Sequence, residues 1–122
     1  MVAIVDDDKS MRAALLGLMK EAGLPAKTFG AAEEFLDSGH QYQTGCLITG
    51  CLITDIRLPG MSGLELLAKL NAENCRIPTI FITAHGDAAT RMQALRLGAL
   101  EFLTKPFNDD ALLECVRAAM QM

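Results

Sequence analysis

Five short apolar runs alternate with five segments of helical periodicity, and this alternation restricts the fold more than any other feature of the chain. "VAIV" (2–5), "AKTF" (26–29), "CLIT" (51–54), "PTIFIT" (78–83) and "LEFLT" (100–104) read as strands. Residues 9–22 place Met11, Ala14, Leu15, Leu18 and Ala22 on one helical face, and Gly23 and Pro25 terminate it. Residues 31–38 form a short helix with Ala32, Phe35 and Leu36 inward. Ser62 and Glu65 have capping-box spacing ahead of Leu66, Leu67 and Leu70. Asp87 caps a helix over 88–97 closed by Gly98, and Asn108 caps a last one bearing Leu112, Leu113, Val116 and Met120. Strands joined through helices run parallel, and apolar strands in such a sheet need cover on both faces. The expectation is a single α/β domain over 1–122, with the less hydrophobic "AKTF" nearer an edge.

The chain is large enough for a real core, with 122 residues of which 51% are hydrophobic. Its net charge of −4 argues against gripping nucleic acid through phosphates. No apolar run approaches the ~20 residues of a membrane helix. The start, "MVAIVDDD", lacks the pattern of a signal peptide. No membrane association and a cytoplasmic location are therefore expected. Cys46, Cys51, Cys75 and Cys115 form no Cys-x-x-Cys pair and lie far from His40 and His85, so reduced thiols are expected and zinc is not.

In doubly wound sheets ligands gather at the carboxyl ends of the strands. Here those ends carry Asp6, Asp7 and Asp8, then Asp55, Thr83 and Lys105-Pro106. Each has an ordinary reading: a solvated helix start, a turn, a cap, a surface lysine. Together they bring carboxylates, a hydroxyl and an ammonium to one rim. Clustered carboxylates repel unless a cation joins them, and hard oxygen donors suit Mg²⁺. Lys105 and Thr83 can meet phosphoryl oxygens, which leaves Asp55 as nucleophile. The chemistry predicted is phosphoryl transfer to an aspartate, by positioning and charge neutralisation.

"IVDDD", "CLITDIRLPGMSGLELL", "IFITAHGD" and "GALEFLTKPF" resemble the receiver domain of two-component response regulators, closest to the FixJ/NarL type. The resemblance covers essentially the whole chain and implies a flavodoxin-like (CheY-like) fold, (βα)5, with strand order 2-1-3-4-5. It implies that Asp55 accepts phosphate from a sensor histidine kinase. Asp7 would bind Mg²⁺ directly, Asp6 largely through water, and the backbone carbonyl of Arg57 would be another ligand beside Asp55. Thr83 and Lys105 would contact the phosphoryl group, Lys105-Pro106 would be cis, and Phe102 would turn inward as Thr83 moves. Arg57 and His85 sit where the family varies its dephosphorylation rate. The resemblance further implies chemistry only on the domain itself, a homodimer on phosphorylation, and DNA contact only through an effector domain outside this chain. Two other classes stay open: a phosphatase with an aspartyl-phosphate intermediate, although no acid stands two residues after Asp55, and a receiver disabled in its third strand.

That strand is where the chain departs from the family. Gly-Cys-Leu-Ile-Thr occurs twice in tandem, at 45–49 and 50–54, and only the second copy runs into an aspartate. Residues 39–50, 12 in all, separate Ser38 from Cys51, and removing one copy leaves seven, nearer the ordinary loop length. In one register 51–54 is the strand and the first copy enlarges the preceding loop; in the other 46–49 is the strand and Gly50 replaces Asp55. The first preserves the rim, and is the expectation. Metal or phosphoryl binding would select it if both were populated; otherwise the extra copy only lengthens a loop.

Overall fold

The computed structural model describes residues 1–39, 50–84 and 86–121. Strands β1 (Val2–Val5), β2 (Ala26–Phe29), β3 (Cys51–Asp55), β4 (Thr79–Thr83) and β5 (Glu101–Thr104) alternate with helices α1 (Lys9–Glu21), α2 (Ala32–Ser38), α3 (Gly63–Ala72), α4 (Ala88–Arg96) and α5 (Asp109–Met120). The strands form one sheet in the order β2-β1-β3-β4-β5, and every neighbouring pair is parallel. The less apolar β2 takes an edge. The three central strands β1, β3 and β4 are buried along their whole length, which is why their sequences are continuous rather than alternating.

Helices cover both faces. Leu15 and Met19 of α1 and Leu112, Val116 and Ala119 of α5 pack on Val2, Ile4, Cys51, Ile53, Ile80 and Ile82. Phe35 of α2 with Leu66 and Leu70 of α3 pack on Ala3, Val5 and Leu52. Ala94 of α4 joins Ile56, Leu67, Phe81 and Phe102 on that second face. Two inward assignments change. Ala14 is exposed and Met19 buried, because α1 touches the sheet along the narrow ridge Leu15–Met19. Ala119 replaces Met120 in the core by the same i, i+3, i+4 geometry from Leu112 and Val116. The capping box at Ser62 and Glu65 is present, and Asp87 and Asn108 cap α4 and α5 as their spacing predicts.

The second copy of the repeat is the strand. Cys51 pairs with Val2 of β1, and Asp55 closes the pairing with Ile82 of β4. Gly50 leads in, its N–H donating to the Met1 carbonyl at 2.7 Å. A Cβ there would meet the tip of the exposed Met120 side chain, which would have to shift aside. The first copy at 45–49, with Cys46 and His40, lies outside the described residues. Among the described residues Cys51, Cys75 and Cys115 form no disulfide, and burial pushes the Cys51 thiol up to about 12. Among the described residues no helix is long and apolar enough to cross a membrane.

Candidate phosphoacceptor site

β1 delivers Asp6 to the carboxyl edge of the sheet, fully buried. Its carboxylate accepts from the Asp8 N–H at 2.9 Å and from Lys105 Nζ at 3.2 Å. Its backbone carbonyl accepts from Arg12 Nη1 at 2.7 Å. β3 delivers Asp55, which accepts from the Arg57 N–H at 3.1 Å through one oxygen and from Lys105 Nζ at 2.9 Å through the other. Lys105 therefore bridges two buried carboxylates brought together from strands that are neighbours in the sheet. Its own backbone is tied to β4: the Lys105 N–H donates to the Thr83 carbonyl at 2.7 Å, and the Lys105-Pro106 peptide is cis. Thr83, at the end of β4, is buried.

The acidic triplet divides its work. Asp8 is not part of the cluster; it caps α1, accepting from the Ser10 and Met11 N–H groups at 2.8 and 3.2 Å. Asp7 is exposed and Asp6 is not. Asp6, Asp7 and Asp55 each place one carboxylate oxygen within 4.8 Å of the others. Three hard oxygen donors at that spacing, two of them largely out of water, fit a small divalent cation such as Mg²⁺. Burial raises the Asp6 carboxyl above its ordinary 3.8, opposed by the Asp8 hydrogen bond and by Lys105. Burial pulls Lys105 the other way, yet the hydrogen bonds and charges of Asp55 and Asp6 outweigh it and hold the ammonium above 10.5.

Phe102 is buried among Ile56, Leu67, Phe81, Ala94 and Ala99. The Arg91 guanidinium lies 5.9 Å above its ring. A Cβ on Gly86 would come within 2.6 Å of Thr104 Oγ1 and 3.1 Å of Phe102 Cε1, so the β4–α4 connection passes tightly over both. Arg57 is exposed and its charge helps lower the Asp87 carboxyl, behind the larger effect of hydrogen bonds from Thr90. His85 lies outside the described residues. Three supporting residues have no signal in the sequence. Arg12 looks like any helix-surface cation, Glu33 like a charge favoured at a helix start, and Gly63 like an ordinary first-turn residue. Gly63 in fact abuts the Asp55 carbonyl, where a Cβ would overlap it.

A parallel sheet in the order 2-1-3-4-5, with helices on both faces and its polar cluster at the strand ends, defines a flavodoxin-like α/β protein. The sequence narrows this class further. A family model for the response regulator receiver domain matches residues 2–117, and the chain belongs to that family. It is 42% identical over 119 residues to the transcriptional regulatory protein FixJ of Azorhizobium caulinodans, covering 98% of this chain and 54% of that protein. It is 45% identical over 120 residues to nodulation protein W of Bradyrhizobium diazoefficiens, covering 98% and 51%. The solved structure of FixJ-N is similar at a TM-score of 0.85 and 37% identity, over 98% of this chain and 92% of that one. The chain spans about half the length of the curated relatives it matches. Receiver domains are phosphoacceptor switches acted on by sensor histidine kinases.

Proposed function

We propose that this domain accepts a phosphoryl group on Asp55 from the phosphohistidine of a sensor histidine kinase, with Mg²⁺ held by Asp6, Asp7, Asp55 and the Arg57 backbone carbonyl. The observation that carries the reading is Lys105 Nζ within 3.2 Å of both Asp6 and Asp55. It supplies a positive charge at the carboxylate that would attack. The Arg57 N–H restrains one Asp55 oxygen at 3.1 Å, leaving the oxygen beside Lys105 as nucleophile. As that oxygen bonds to phosphorus, the P–N bond of the phosphohistidine breaks and its electron pair returns to the kinase's imidazole; Lys105 exchanges its carboxylate partner for a phosphoryl oxygen, and the Thr83 hydroxyl donates to another. Mg²⁺, when bound, neutralises charge on the carboxylates and on the transferring group. Thr83 moving toward the phosphoryl group vacates space beside β5, into which the already buried Phe102 shifts. The changed surface is that of α4, β5 and α5, which suits homodimer formation and, in a longer protein, control of a DNA-binding effector.

The extra Gly-Cys-Leu-Ile-Thr is an insertion in the α2–β3 connection that leaves the acceptor in place; β3 ending in Asp55 supports this over a disabled receiver. A cytoplasmic setting, where the kinase and its product meet, completes the reading. Intact-mass analysis after acetyl phosphate tests it. One labile phosphoryl group, dependent on Mg²⁺ and missing in Asp55→Asn, is the expected result. Steady turnover of phosphomonoesters, or no adduct at all, would contradict it.

A further inference from the structure

The segment between Asp55 and α3 carries the Arg57 carbonyl, and most of its hydrogen bonds run to the strand and helix that flank it. Arg57 N–H donates to Asp55 at 3.1 Å, Gly63 N–H donates to the Ile56 carbonyl at 2.9 Å, and Ser62 and Glu65 close the capping box at 3.1 Å. Those bonds tie the two ends of the segment to β3 and α3 without reaching α2. Leu58 anchors its middle in the apolar cluster of Phe35 and Leu66, which leaves the peptides beyond Pro59 to be oriented. Glu33, in the first turn of α2, reaches them from 28 residues earlier: its carboxylate accepts from the Met61 N–H at 3.0 Å. Gly60 is shaped for that contact. Its φ is +74°, and a Cβ on it would stand 2.5 Å from Glu33 Oε2. Any larger residue would both strain the backbone and expel the carboxylate. The bond from Met61 holds the Glu33 carboxyl below its ordinary 4.5.

We propose that Glu33 is a positioning residue for phosphoryl transfer, tethering the Gly60–Met61 peptide to α2 so that the loop presents the Arg57 carbonyl to the bound cation. The inference rests on the proposed Asp55 chemistry and adds a residue that the rim itself does not contain. It also links the site to α2, the helix that leads directly into the enlarged connection of residues 39–50. A tether of this kind acts on affinity for the cation rather than on the transfer step once the cation is bound.

The test is a Mg²⁺ titration of the phosphate-free protein followed by backbone amide shifts, beside acetyl phosphate labelling at saturating Mg²⁺. Glu33→Ala is expected to raise the Mg²⁺ dissociation constant roughly three- to tenfold, with the saturated labelling rate within about twofold of wild type. Glu33→Gln keeps an acceptor oxygen and is expected to restore most of the affinity. Gly60→Ala attacks the same contact from the other side and is expected to weaken Mg²⁺ as Glu33→Ala does. A folded Glu33→Ala protein with wild-type Mg²⁺ affinity would overturn the tether, as would Glu33→Gln as weak as Glu33→Ala. Wild-type protein that neither binds Mg²⁺ nor takes up phosphate overturns the Asp55 chemistry itself, and the tether with it.

Discussion

Replacing Lys105 with methionine keeps most of the stem and deletes the charge that two buried carboxylates share. Lys105 is 17% exposed, and its partners Asp6 and Asp55 are 0% and 11% exposed at their side chains. Without it, carboxylate oxygens no more than 4.8 Å apart face each other. At an effective dielectric of about 20 that repulsion is roughly 3.5 kcal/mol. Stripping one partner from a buried pair costs about 3–5 kcal/mol as a rule. Proton uptake by Asp6, already favoured by burial, relieves part of it, so about 2–4 kcal/mol of lost stability is expected. For a chain of 122 residues this is a fall in Tm of about 8–16 °C.

Circular dichroism melts at neutral pH in chelator measure the loss directly. Asp6→Asn in the Lys105→Met background should recover part of it, and Mg²⁺ should raise the Tm of Lys105→Met more than that of wild type. The pH dependence has a definite sign. The folded Lys105 pKa is raised, so its stabilisation is complete below 10.5 and is lost as pH rises through the folded value. Asp6 acts in the same sense at lower pH: its folded pKa is raised above 3.8, so the folded state holds that proton more tightly and stability declines as pH climbs through that window. Lys105→Met should lose the alkaline limb and deepen the acidic one. A Lys105→Met melt within about 2 °C of wild type would refute the reasoning.

Two further outcomes follow from the strand register and the loop. Removing Gly45 to Thr49 shortens the α2–β3 connection from 12 to seven residues, which should change stability by only about 0.5 kcal/mol and leave labelling of the aspartate intact; a stability change above about 2 kcal/mol, or loss of labelling, would contradict the reading of the extra copy as surplus to the fold. Gly63→Ala forces a methyl onto the Asp55 carbonyl and to 3.1 Å from the Ile56 Cα, so urea melts should show a loss of about 1–3 kcal/mol. An unchanged urea midpoint would contradict the close approach.

The elements were readable because each has local cause. Continuous apolar runs mark the doubly covered strands, "AKTF" marks the edge, and Ser62, Asp87 and Asn108 mark helix starts by their own side chains. The rim was readable because topology alone sends Asp6, Asp55, Thr83 and Lys105 to the same end of a parallel sheet. What sequence withheld depends on contacts made at a distance. The inward choice of Met19 over Ala14 depends on how α1 sits against the sheet, and that of Ala119 over Met120 on the seat of α5. Arg12 on the Asp6 carbonyl and Glu33 on Met61 join elements whose spacing in the chain carries no periodic signal. Asp8 belongs by its letters to the acidic triplet, and only the hydrogen bonds of the first turn of α1 assign it to capping instead.

The central claim is that Asp55, at the end of the second copy, takes the phosphoryl group. Borohydride reduction of the protein after acetyl phosphate and Mg²⁺, followed by peptide mapping, locates the acyl phosphate as homoserine. Homoserine is expected at position 55 and at no other carboxylate. Modification at Asp6 or Asp7 instead, or labelling that survives Asp55→Asn, would contradict it.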